Sequence, residues 1–258
     1  MNKNLFNLNK KIVYVLGGSG LIGLKISELL SNHNAKVINL DLNQKKIKNF
    51  HDNEVLFEKF DCTDFNNSEK RISKIFKKHG YPEVFINSSY PKTKNWNSNS
   101  FERLHYTTLR KNLEIHLNSS VWITKIVAEI MKSKNIKGSI IQTGSIYGLV
   151  GQDNSIYKNT KMTENISYSV IKGGIINFTR LAASCYGKYG IRINTVCPGG
   201  VEDGKQEKIF LKNYKKRVPL GRLAKPKEIS SVYLFLSSEG ASYITGSSIV
   251  VDGGWTCI

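Results

Sequence analysis

The stretch KIVYVLGGSGLIG, residues 11–23, limits what this chain can fold into more than any other segment. An apolar run of strand length ends in glycines. Apolar residues then recur at Leu21, Leu24, Ile26, Leu29 and Leu30, a spacing that fits a helix. Gly17, Gly20 and Gly23 stand at GxxGxxG spacing between the two elements. The first glycine permits the turn, the second lets the backbone approach a pyrophosphate at the positive helix N-terminus, and the third allows close packing on the strand. A dinucleotide phosphate site is therefore expected at Gly17, Ser19, Gly20, Leu21, Ile22 and Gly23. Asp41 closes a second apolar run, AKVINLD, about 20 residues further on, where a carboxylate can accept hydrogen bonds from an adenosine ribose and repel a 2′-phosphate. NAD is favoured, and Lys45 and Lys46, which offset part of that repulsion, keep NADP open.

Five more runs of strand length follow: VLFEKFD (55–61), EVFIN (83–87), GSIIQTG (138–144), IRINTVCPG (191–199) and SSIVVDGG (247–254), with helical stretches between them. Alternating strands and helices predict right-handed crossovers and an α/β fold: a doubly wound, Rossmann-type parallel sheet covered on both faces. No repeat or Pro/Gly-rich linker divides the 258 residues, so a single domain is expected over 1–258. No apolar run approaches the roughly 20 residues of a membrane span, and the N-terminus MNKNLFNLNKK lacks a secretory stretch, which predicts a cytoplasmic protein without a membrane partner. Cys62, Cys185, Cys197 and Cys257 lack CxxC spacing, so neither a metal site nor a disulfide framework is expected. The net charge of +18 raises a nucleic-acid partner, but the lysines are spread through every segment and no basic stripe is interleaved with stacking aromatics; no nucleic-acid partner is expected.

The chemistry-bearing pair is in YSVIK. Tyr168 and Lys172, four residues apart, share a helix face, and a cation beside a phenol favours phenolate, which suits acid–base work on an alcohol or carbonyl. Ser145, in QTGSIYG, follows a buried strand at the end where open α/β sheets bind ligands, so its hydroxyl can hold a substrate oxygen. Each of these residues alone has an ordinary reading, as a turn serine, a surface tyrosine or a solvated lysine. Their combination gives them weight.

Glycine turn, strand-end Asp, Ser and YxxxK in this order resemble the short-chain dehydrogenase/reductase family over nearly the whole chain. The resemblance implies NAD(P) binding and hydride transfer between nicotinamide and substrate carbon. Ser145 would polarise the substrate oxygen and Tyr168 transfer the proton. Lys172 would bind the nicotinamide ribose and lower the tyrosine pKa. By the same resemblance Asp61 and Cys62 match the adenine-contacting pair, Asn87 opens the stretch after the fourth strand, and Pro198 and Gly199 match the turn that flanks the nicotinamide. A substrate lid is implied near 200–220, and assembly as a homodimer or homotetramer through the YxxxK helix.

The chain departs from the family pattern in four places. Its glycine spacing is that of the extended branch, although its length and tail are those of the short one. Ser88, Ser89 and Tyr90 replace the usual Asn-Ala-Gly. The threonine after Pro-Gly is missing from Gly200, Val201, Glu202 and Asp203. His116 falls where the family places an Asn that kinks a helix and holds a relay water, with Asn112 one turn earlier as a substitute. His116 is either part of that relay, which predicts an extra ionisation near pH 6–7, or a core histidine satisfied by backbone.

The segments 89–96 and 152–167, polar and aromatic, are expected to shape a pocket for a hydroxylated substrate. This pattern resembles a subgroup linked to bacterial flagellin-modification and nonulosonic-acid sugar pathways. A small-molecule sugar derivative is the leading substrate class; a 3-oxoacyl-carrier-protein reductase or general alcohol dehydrogenase is the alternative, and a non-catalytic dinucleotide sensor a third reading. Lys205, Lys208, Lys212 and Lys215 recur at helical spacing in the lid region, either to attract an acidic substrate or as a solvated face.

Overall fold

A computed structural model describes residues 5–45 and 55–258, so Lys46 and the first four residues lie outside the described residues. All seven apolar runs form strands: β1 (Ile12–Leu16), β2 (Lys36–Asp41), β3 (Leu56–Lys59), β4 (Val84–Asn87), β5 (Ser139–Thr143), β6 (Arg192–Pro198) and β7 (Ser248–Val251). They make one parallel sheet in the order β3-β2-β1-β4-β5-β6-β7.

Both faces of the sheet are covered, as a parallel sheet requires. Along β1, Tyr14 and Leu16 join one core layer with residues of α2 (Phe65–His79), the helix α4 (Ser119–Ser133) and α5 (Ile166–Tyr186). Val13 and Val15 point the other way, into a layer with Ile26 and Leu30 of α1 (Leu21–Asn32) and Ile229, Tyr233 and Leu236 of α7 (Pro226–Ser237). The alternation of side chains along a strand thus feeds two separate cores. A third cluster, of Phe210 and Tyr214 from α6 (Lys208–Arg217) with Ile146, Ile156 and Trp255, lies beyond the strand ends.

The sheet runs outward in both directions from β1 and β4, since β2 and β3 lie beyond β1 while β5, β6 and β7 lie beyond β4. The chain therefore leaves these two neighbours on opposite faces, and a crevice opens at their C-terminal ends.

Between α3 (Tyr106–Asn112) and α4 the helix does not stop but widens into a π-helical turn, Leu113–Asn118. Such a turn accommodates one residue more than the α-helical ladder and commonly marks a functional site. Among the described residues no helix is long and apolar enough to cross a membrane.

Candidate active site

A crevice of about 980 Å³ runs across the C-terminal strand ends and is bordered by Gly17, Ser19, Gly20, Leu21 and Ile22. Gly17 has a φ of +78°, and a Cβ on it would meet the Ser89 nitrogen at 2.6 Å. A Cβ on Gly23 would collide with the Gly17 carbonyl, so this residue, which does not border the crevice, serves packing. Gly20 differs: its nearest protein neighbour would be the Gly17 carbonyl oxygen at 3.1 Å, and the space that a side chain would fill belongs to the crevice. That is the approach a pyrophosphate needs at the N-terminus of α1.

Asp41 ends β2 at the crevice wall, where its carboxylate accepts hydrogen bonds from the backbone N–H groups of Ser19 (2.9 Å) and Leu42 (2.7 Å). It therefore braces the glycine loop as well as lining the far end of the crevice. Asp61 and Cys62 line the same end. The Asp61 carboxylate is held by Thr63, through its N–H at 2.8 Å and its hydroxyl at 2.7 Å, and burial pushes the Cys62 thiol up to about 11. Asn87 does not line the crevice. It is buried beneath it, accepting hydrogen bonds from the Ser89 N–H and hydroxyl, and its amide nitrogen finds no protein partner. Pro198 and Gly199 form the opposite rim.

The end of the crevice that holds Tyr168 and Lys172 is built on α5. The Asn165 side chain caps this helix by accepting from the Tyr168 N–H at 2.9 Å, which fixes where the first turn begins and hence where Tyr168 projects. Lys172, one turn on, is 2 % exposed and donates to the Thr143 carbonyl at 2.8 Å. Its ammonium lies 5.7 Å from the Tyr168 ring centroid. Ser145, buried just past β5, hydrogen-bonds towards Tyr168 while its oxygen also accepts from the Tyr147 N–H. Tyr168 and Lys172 thus border one end of the crevice, with Ser145 buried beside Tyr168 rather than lining it, and the glycine loop and Asp41 border the other part.

The electrostatics correct one expectation. Burial pushes the Tyr168 phenol above its ordinary value, and the Ser145 hydroxyl opposes this only in part. Burial also pulls Lys172 down, to about 8. Desolvation thus sets the direction of both shifts, against the lowering of Tyr168 expected from the lysine.

His116 needs a second correction. It sits in the π-helical turn, completely buried, with neither ring nitrogen bonded to protein. Burial, and secondarily Lys172, hold its pKa well below the ordinary value. Its neutral form is therefore favoured, which argues against the ionisation expected near pH 6–7, and no backbone group satisfies either ring nitrogen. Asn112 does not stand in for it: its carbonyl accepts from the Thr93 N–H at 3.2 Å and its amide donates to Asn99 at 3.3 Å, which ties down the loop after β4.

Tyr90, which the sequence marked as a replacement in the stretch after β4, and Trp96, which it placed only within a pocket-forming segment, pack around Tyr168. Tyr90 lies edge-on to His116 (ring centroids 5.1 Å apart) and to Tyr168 (6.0 Å), and Trp96 is perpendicular to Tyr168 at 6.2 Å. The other expected segment, 152–167, meets this one. Asn165 donates to the Trp96 carbonyl at 2.8 Å, the Ile166 N–H bonds to the Asn99 carbonyl at 2.9 Å, and Gln152 accepts from the Asn165 N–H at 3.1 Å. Of the lid lysines, Lys205 precedes α6, while Lys208, Lys212 and Lys215 are exposed on it. The helix is tied to the rim by the Gly200 N–H, which donates to the Tyr214 hydroxyl, and by Tyr214 stacked on Trp255 at 4.7 Å.

Comparison with known proteins agrees with this geometry. The family profile described as enoyl-(acyl carrier protein) reductase matches residues 19–256. A post-translational flagellin modification protein A of Campylobacter coli is 29 % identical over 96 % of this chain and 99 % of its own length. A 3-oxoacyl-acyl-carrier-protein reductase, FabG, of Buchnera aphidicola is 31 % identical over 95 % of this chain and 97 % of its own. Among solved structures, a short chain dehydrogenase from Leptospira borgpetersenii with bound NAD+ superposes with a TM-score of 0.88 at 29 % identity, covering 99 % of this chain and 97 % of that one.

Proposed function

The chain belongs to the short-chain dehydrogenase/reductase family and is an NAD(P)-dependent oxidoreductase, and on that premise we propose that it interconverts a secondary alcohol and a carbonyl on a sugar derivative, using NAD. The observation that carries this reading is the convergence of Tyr168 and Lys172, with Ser145 buried beside Tyr168, on a crevice that Gly17, Ser19, Gly20, Leu21, Ile22 and Asp41 also line.

A dinucleotide bound along the crevice would supply or accept the hydride. Gly20, Leu21 and Ile22 would hold its pyrophosphate, Asp41 its adenosine ribose, Asp61 and Cys62 its adenine, and Pro198, Gly199 and Lys172 its nicotinamide end. Ser145 donates a hydrogen bond to the substrate oxygen. Tyr168, kept neutral by burial, gives its phenolic proton to that oxygen in reduction and takes it back in oxidation. The ammonium of Lys172 stabilises the phenolate left behind. His116, neutral, supports the proton path as a hydrogen-bonding group without carrying charge.

Support for a sugar derivative comes from the rings of Tyr90, Trp96 and Tyr147 around Tyr168, since Tyr and Trp join apolar faces to polar edges and so suit a hydroxylated ring. The name of the Campylobacter relative adds to it. The relation to the Buchnera reductase favours a second reading, an acyl thioester substrate. Assay with NAD against amino sugars and sugar alcohols, and with NADPH against acetoacetyl thioester, separates them: turnover of the thioester alone refutes the sugar reading. We further propose a cytoplasmic homodimer or homotetramer assembled through α5, whose Val170 and Leu181 are exposed, with α6 as a substrate lid.

A further inference from the structure

Lys172 is buried without an acidic partner: among the described residues no ion pair involves it, and its ammonium donates to the Thr143 carbonyl. An ammonium removed from water needs compensation, and a single carbonyl supplies only part of it. The remainder is aromatic. The Lys172 nitrogen lies 5.6 Å from the centroid of Tyr90, as close as it lies to Tyr168, and within the range in which the negative face of a ring attracts a cation.

Three further rings of the site stand across the plane of Tyr90. His116 and Tyr168 abut it at 5.1 and 6.0 Å with interplanar angles of 81° and 65°, and Trp96 backs it at 5.5 Å and 75°. One ring therefore touches the proton donor, its cation and the buried imidazole. We propose that Tyr90 is a positioning residue for the Tyr168–Lys172 pair, its π face holding the Lys172 ammonium charged inside the protein and its ring contact fixing Tyr168. This role belongs to the ring of Tyr90 and not to its hydroxyl.

The groups that face Lys172 are few. Tyr168 comes from its own helix, Tyr90 from the loop after β4, with the Lys92 nitrogen 6.0 Å from the same ring, and His116 from the π-helical turn. Cys197 comes from β6, and Thr143 ends β5, with its hydroxyl bonded to Tyr233 of α7. Burial keeps Cys197 and Tyr233 protonated and His116 unprotonated at neutral pH, so none of them offsets the lysine charge.

The proposal rests on Tyr168 and Lys172 being the reacting pair, and its test reads the lysine directly rather than turnover. In protein carrying 13C-labelled lysine, the Cε resonance lost in Lys172→Met identifies Lys172, and its titration gives a midpoint. Tyr90→Phe, which keeps the ring, is expected to leave that midpoint within 0.3 units or so. Tyr90→Leu, apolar and without a π face, is expected to lower it by half a unit or more, in line with a cation–π contribution of this size. Tyr90 is 45 % exposed, so both variants are expected to fold, and unchanged amide spectra outside the site check this. A midpoint in Tyr90→Leu that is unchanged or raised overturns the proposal, as does an equal fall in both variants. Absence of turnover in the wild-type protein with every sugar would count against the substrate reading and leave the lysine midpoint as readable as before.

Discussion

The Lys172 ammonium donates to the main-chain carbonyl of Thr143, the last residue of β5, at 2.8 Å. A long side chain with several rotatable bonds is thereby fixed by the sheet itself, beneath Tyr168. Its charge is held where burial lowers its pKa from 10.5 to about 8.

That burial has a measurable sign. A lysine whose folded pKa lies below its unfolded value binds fewer protons in the folded state between the two, so this group makes stability rise with pH from about 8 to 10.5, and its cost is complete below 8. Lys172→Met should therefore be more stable than wild type at pH 7, by about 1–3 kcal/mol once the orphaned Thr143 carbonyl is allowed for, and the gap should shrink towards pH 10. Urea unfolding at several pH values measures it; a variant less stable at pH 7 contradicts the assignment.

Tyr168→Phe removes the proton donor and leaves the phosphate cradle untouched. Turnover should fall by about a thousandfold or more, or roughly 4 kcal/mol in the barrier, while NAD affinity by calorimetry changes less than about threefold. Retention of a tenth of wild-type activity would exclude Tyr168 from proton transfer.

Asp41 lines the crevice and also accepts the Ser19 N–H. Its replacement by Ala should weaken NAD binding by about tenfold, through the ribose and through a looser loop, and should improve NADP by removing repulsion of the 2′-phosphate. Dissociation constants for both dinucleotides decide this, and a wild-type protein that already prefers NADP refutes the reading.

For His116 the prediction is an absence. With its pKa held far down by burial, wild-type kcat/KM should show no inflection near pH 6.5 from this residue, and His116→Asn should give a profile of the same shape and turnover within a few-fold. His116→Ala should lose about tenfold, because a buried hydrogen-bonding group disappears from the π-helical turn. An inflection that His116→Asn abolishes would restore the titrating role.

The seven strands, the glycine turn, Asp41, Ser145 and the Tyr168–Lys172 pair were all legible in the sequence, because each depends on local signals: apolar runs, glycine spacing, strand-end position, and side chains one helical turn apart. The tertiary structure decided three further matters. The register between Asn112 and His116 changes in a π-helical turn that no 3.6-residue period announces, so Asn112 anchors the loop after β4 while His116 faces the site. The direction of the Tyr168 and Lys172 shifts depended on how deeply the two are buried, since desolvation is the largest cause of each and burial is a property of the packed fold. Finally, Tyr90 and Trp96 are distant in sequence from Tyr168, and only the closure of two loops over the start of α5 brings their rings against it.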